Sequence, residues 1–173
     1  MKRRDARGFT LVELLIVVAI IGIIAAVAVP NVRRARIAGS EASAVTSLQA
    51  INGAQSTFAS SCGGNAYAGS LEDLSLSPED GGQGFISPDL AANGVTKSGY
   101  RFTLEPAAEP LEGVKTCNGA ASVYPEYLAH AEPVAPGVTG QRSYATDSRR
   151  TIFYNNTGAP IEAGMEGATV LNN

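Results

Sequence analysis

The run RGFTLVELLIVVAIIGIIAAVAVP, Arg7 to Pro30, decides how the rest of the chain is read. Between Phe9 and Val29 the only charged side chain is Glu13 and the only polar one is Thr10. A helix over that run rises by about 30 Å, the thickness of a bilayer's hydrocarbon core, so it is long enough to span a membrane. Glu13 stands one turn into it. A carboxylate there costs about 2.5–3.5 kcal/mol at mid-helix on insertion scales, less near the end, and requires a compensating partner. Ahead of the run lies MKRRDARG, in which Lys2, Arg3, Arg4 and Arg7 outweigh Asp5 to give +3, ending at Gly8 directly before Phe9.

A cut between Gly8 and Phe9 would place a new α-amino group at the helix start, mostly protonated at neutral pH because such groups titrate near about 7.7–8.0. Glu13 lies four residues further along, on the same helical face. Each copy of the chain would then carry both halves of an ion pair. In a low dielectric neither charge is tolerable alone, so pairing between copies would fix their register, with an axial offset of about 6 Å.

GFTLVELLIVVAIIGIIAAVAVP resembles the N-terminal segment of type IV pilins and of the pseudopilins of type II secretion systems. The glycine before the cut, the phenylalanine after it, the glutamate five residues into the mature chain, Gly22 within the span and Pro30 at its end all match. The resemblance covers Arg7 to Phe58 well and the remainder loosely. It implies that a prepilin peptidase removes residues 1–8 as a leader and methylates the Phe9 amine. It also implies that residues 9–29 form a transmembrane helix, held in lipid before assembly and in a filament core afterwards. Copies of this chain, or other pilins, and an inner-membrane assembly machine are the implied partners. The implied location is the bacterial inner membrane, with a cytoplasmic leader and a periplasmic head, and then a filament. A secretory signal cut behind Ala26, Val27 and Ala28 is a competing reading, but Glu13 would interrupt its apolar region. A plain anchor explains the length and leaves Glu13 unpaired.

At 173 residues the chain suits one domain plus an anchor, with the exported head over residues 30–173. Loss of the leader takes the net charge from −3 to −6. An acidic chain whose only later basic cluster is Arg33, Arg34 and Arg36 argues against specific nucleic-acid binding. That cluster also leaves the positive-inside rule only slightly in favour of a cytoplasmic leader. Cys62 and Cys117 have no CxxC partner and no histidine nearby, so zinc is disfavoured. In an exported domain a disulfide is the better reading, worth about 4 kcal/mol through closure of a long loop. The alternative is a pair of buried thiols.

Beyond Pro30 the apolar residues Val32, Ala35, Ala38, Ala42, Val45, Leu48, Ile51, Ala54 and Phe58 recur at helical spacing, which predicts an amphipathic helix to about Ser60. Pro30 removes an internal hydrogen bond and is expected to kink that helix, while Gly22 and Gly39 loosen it. Residues 61–99, rich in Gly, Ser, Pro and Asp, read as an irregular connection with short helical turns at Leu71–Leu74 and Pro88–Ala92. Glu79 and Asp80 beside two glycines lack the alternating carboxylates of a calcium loop and read as a solvated turn. Strands are expected over Gly99–Glu105, Ser122–Ala131, Arg142–Ala145 and Thr151–Tyr154, the last two joined in a hairpin through TDSRR. Pro125 suggests a bulge or an edge in the second. The fold class is α+β, a type IV pilin-like long N-terminal helix packed on an antiparallel sheet of three or four strands. The related hairpins usually carry glycine in the turn, where this chain has Arg149 and Arg150. Residues 159–173 are expected to be a loosely held end, and the triplet Asn155, Asn156, Thr157 is given no role.

His130, the sole histidine, rules out multi-histidine metal sites and reads as structural or exposed. No nucleophile elbow or phosphate-cradling loop occurs, so neither an enzyme nor a cofactor is expected. The primary reading is a structural filament subunit. The alternatives are a secretion pseudopilin and, further off, a membrane-anchored exported binding module. The long loop and the cysteine pair favour a surface-exposed pilus subunit over the pseudopilin.

Overall fold

The structure is a computed structural model that describes residues 9–171. A single helix assignment, α1, runs over Leu11–Ser61, but the chain separates into two units, one ending at Arg36 and one beginning at Ile37. The first is the N-terminal segment. The second is the head.

Within the head, α1 buries Ala44, Ser47, Leu48, Ile51, Asn52, Ala54, Gln55 and Phe58. These positions recur at three and four residues, the spacing that keeps a single helical face against a sheet. The amphipathic face drawn from sequence therefore has the right period but a later start. Val32, Ala35, Ala38 and Ala42 are exposed, and burial begins at Ala44.

Eight short strands follow: β1 (Tyr67–Ala68), β2 (Val95–Lys97), β3 (Tyr100–Pro106), β4 (Val123–Tyr124), β5 (Tyr127–Pro133), β6 (Ser143–Asp147), β7 (Ile152–Asn155) and β8 (Thr169–Val170). Six of them form one antiparallel sheet in the order β2-β3-β5-β6-β7-β8, and β1 pairs with β4 apart from it. The expected four-stranded centre is present as β3, β5, β6 and β7. The sheet exceeds the expected three or four strands because β2 and β8 extend its edges, and strands of two or three residues are too short to show a period. The stretch expected as one strand over 122–131 divides at Pro125, after which β5 joins the large sheet while β4 turns to β1. A proline cannot donate to a ladder, so a break there is the natural outcome.

The register places Phe102 opposite Ala131, Leu104 opposite Ala129, and Ala131 opposite Tyr144, and this face packs with Leu48, Ile51 and Phe58 of α1 into the main core. Phe58 meets Phe85 edge to face at 5.3 Å. Two buried polar residues on α1 are satisfied rather than stranded. Asn52 donates to Thr146 Oγ1 at 3.0 Å and accepts from the Tyr127 hydroxyl at 2.9 Å. Gln55 holds both backbone groups of Ala68, donating to its carbonyl and accepting from its amide at 2.9 Å each. Asn93 treats Leu104 the same way, at 2.8 and 2.9 Å. An amide side chain offers one donor and one acceptor at strand-like spacing, so each replaces a missing ladder partner.

The connection over 61–99 contains α2 (Leu71–Ser75), capped by Ser70 accepting from the Asp73 amide, and a 3₁₀ turn at Pro88–Leu90, close to the expected helical turns. Cys62 and Cys117 are disulfide-bonded, with Cα atoms 4.8 Å apart, tying the end of α1 to the segment before β4. Burial raises the hydroxyl of Tyr144 to about 12 and those of Tyr100 and Tyr127 further, so all three stay neutral. Glu41 accepts from the backbone amides of Gln141 and Arg142 at 2.9 and 3.2 Å, fastening α1 to the entry of β6.

The C-terminal segment corrects the expectation of a loose end. Ile161 and Met165 are buried with Leu128 and Ala145 in a second cluster on the outer face of the sheet, and β8 pairs with β7. Two spaced apolar residues in a polar tail suffice because the sheet offers them a ready apolar face. His130 lies on that same outer face, buried, its Nε2 2.9 Å from Glu105 Oε1.

Candidate assembly segment

Among the described residues the first unit has no buried side chain. From Phe9 through Arg36 every described residue is exposed. Leu11 stands 77% exposed, and even the least exposed large side chain of the run, Val17, is 45% exposed. Apolar side chains surround the helix on every side, so no single stripe is available for packing. A helix of this kind is stable only inside a larger apolar surrounding, of lipid or of other helices. By length and composition this helix can cross a membrane.

Its start is built by a local device. Thr10 N–H and Thr10 Oγ–H both donate to Glu13 Oε2, at 3.0 and 2.6 Å, and the Glu13 amide donates back to Thr10 Oγ1 at 3.2 Å. This is a reciprocal capping box over Thr10-Leu11-Val12-Glu13, which satisfies amides that the first turn of any helix leaves unpaired. The carboxylate thus has a partner within its own chain, and among the described residues Oε1 has none. Thr10 was missed by sequence reasoning, although a threonine three residues before a glutamate at the head of an apolar run was the available signal. A cut between Gly8 and Phe9 would leave all of these bonds intact.

Phe9 is 74% exposed beside the box. Gly8 and the rest of the leader lie outside the described residues. The helix assignment passes through Gly22 and Pro30 without a break, and the Asn31 side chain donates to the Val27 carbonyl at 3.0 Å, one residue along from the Ala26 carbonyl that Pro30 cannot serve. Cys62 and Cys117 belong to the head and not to this segment. Among the described residues no three side chains of the metal-ligating types come together.

A family described as "Prokaryotic N-terminal methylation motif" matches residues 3–29. The chain is 43% identical over 75 residues to the type IV major pilin protein PilA of Myxococcus xanthus, an overlap that covers 43% of this chain and 33% of that one. Over this N-terminal segment the chain is similar to type IV pilins. A second pilin relative, the type IV wide pilus major component PilA4 of Thermus thermophilus, is 67% identical over 33 residues, 19% of this chain and 25% of that one. The alignments span about a third and a quarter of the length of these two pilins. No solved structure matches the chain.

Proposed function

We propose that the protein is a prepilin. A prepilin peptidase cleaves it after Gly8 and methylates the Phe9 amine, and the mature chain polymerises through residues 9–29 into a type IV pilus-like filament. The observation that carries this reading is an apolar helix exposed on all sides whose single carboxylate sits at its first turn. The capping box gives the ion-pair step a concrete form. Thr10 fixes Glu13 by Oε2, so the carboxylate is held at the helix start, and Oε1 is left to accept from the Phe9 ammonium of a neighbouring copy. Before assembly the same helix is held by membrane lipid, with the leader cytoplasmic and the head periplasmic, and an inner-membrane machine lifts it into the filament. The names of the two relatives, both pilus components, support a pilus rather than a secretion pseudopilus.

Mass spectrometry of the native N-terminus tests the processing step. A chain beginning with N-methyl-phenylalanine at position 9 is expected, and one that begins at Met1 or behind Ala28 would refute the proposal. Charge and capping separate by substitution. Glu13→Gln can still accept from Thr10 but carries no charge, and it is expected to leave the protein in the membrane while reducing sheared filament at least tenfold. Wild-type filament yield from Glu13→Gln would remove the ion pair from the mechanism.

A further inference from the structure

We propose that the head carries a binding site for a single phosphate or sulfate group at the tip of the β6–β7 hairpin. The site is a cleft of about 230 Å³ lined by Ser56, Ala59 and Ser60 of the last turns of α1, by Asn65 and Tyr67 beyond it, and by Ser148 and Arg150 of the hairpin. No carboxylate lines it, and Arg150 is its only cation.

Three observations converge there. The first is that the donors are unspent. Among the described residues the side chains of Ser56, Asn65, Tyr67, Ser148 and Arg150 make no hydrogen bond with the protein, whereas the adjacent Arg149 is paired with Asp147 through Nε at 2.8 Å and through Nη2. Polar side chains that converge on a cleft without partners are set for a ligand or for solvent. The second is backbone geometry. Of the four non-glycine residues with positive φ among the described residues, two line this cleft, Asn65 at 69° and Arg150 at 63°. Arg150 closes the hairpin turn by donating its amide to the Asp147 carbonyl, in the left-handed position where glycine is at no disadvantage and arginine is strained. Residues held against such a preference cluster at functional positions. The third is that the cation is not needed by the helix end beside it. The carbonyls of Phe58 and Ala59 already accept from the amides of Cys62, Gly63 and Asn65.

The chemistry of the ligand follows from the donors. A guanidinium fork, a carboxamide and three hydroxyls reach the cleft from three separate chain segments, so they approach from several directions. A planar carboxylate presents two oxygens in one plane, whereas a tetrahedral oxyanion presents three or four oxygens spread in space, and Arg is the side chain best matched to it. The volume is below that of pockets for drug-sized ligands and accommodates one such group.

The test uses the full-length chain in detergent micelles, titrated with inorganic phosphate, with sodium chloride at matched ionic strength as the control and amide NMR shifts as the readout. Saturable shifts at Asn65, Ser148 and Arg150 are expected from phosphate and not from chloride. Methyl phosphate is expected to bind like inorganic phosphate and dimethyl phosphate more weakly, which separates a terminal phosphate from a diester link. Arg150→Gly removes the cation and relaxes the backbone together, so it is expected to weaken phosphate binding at least tenfold while raising the melting temperature. Arg150→Lys keeps the charge without the fork and is expected to bind at an intermediate level. Equal shifts from chloride, or undiminished phosphate binding by Arg150→Gly, would overturn the site.

Discussion

Two regions of this chain use the same side chains in opposite ways. In residues 9–29 Leu, Ile and Val stand exposed around the whole helix, while in the head Leu48, Ile51, Leu71, Leu74, Leu90 and Leu104 are fully buried. The head forms its own core from one helical face, a sheet and a disulfide. Among the described residues of the N-terminal segment, Phe9 to Arg36, a capping box holds the start but no side chain is buried, so burial within the chain contributes nothing to its stability. The contrast teaches that one helix can join a unit with its own core to one that buries none of its apolar side chains.

Perturbations of the head should therefore register in its unfolding and those of the segment should not. The largest effect is expected from removing the disulfide. Reduction, or Cys62→Ser with Cys117→Ser, should lower head stability by about 4 kcal/mol in chemical denaturation. Head stability unchanged by reduction would show that the core alone suffices. Next in size is a matched pair of substitutions. Leu48→Ala removes a fully buried side chain and should cost the head about 3 kcal/mol, whereas Leu15→Ala, at a position 63% exposed, should leave head unfolding unchanged and reduce filament yield. A large shift of head unfolding in Leu15→Ala would break the division between the two regions.

Gln55→Ala strands both backbone groups of Ala68 in the core and should cost about 2 kcal/mol, with faster amide exchange at Ala68 in NMR. Retained protection there would mean that another group had taken over the pairing. The smallest effect concerns the head surface. A hydrogen bond from Lys97, at 2.7 Å, and one from Ser87 hold the Asp89 carboxyl below its ordinary value. A depressed carboxyl stabilises the fold above its unfolded pKa, and that contribution is lost as pH falls through the folded value. Lys97→Ala should therefore move the Asp89 titration upward in carboxyl-carbon NMR. Because the pair is largely exposed, melting at neutral pH should change little.

Most of the N-terminal segment was legible because its signals are local. A long apolar run, a basic stretch ahead of it and one acid within it are visible without knowing what touches what. The central strands were legible too, since Tyr100, Phe102 and Leu104 alternate with Arg101 and Thr103. Other features depended on partners distant in sequence. Asn52 and Gln55 sit on the buried face of α1 where a pattern of apolar residues would pass over them. Their reason for being there is Tyr127, Thr146 and Ala68. Ile161 and Met165 had no period to announce them.

Sequence alone determined the long apolar helix and its acid, the cysteine pair and the α+β class, because each depends on composition or on spacing within a few turns of chain. Tertiary structure decided where burial begins on α1, which amides replace missing ladder partners, how the tail covers the outer face, and that Asn65 and Arg150 share a cleft. Those outcomes are set by which surfaces meet when the chain closes, and a backbone that returns from nearly a hundred residues away leaves no local trace of its arrival.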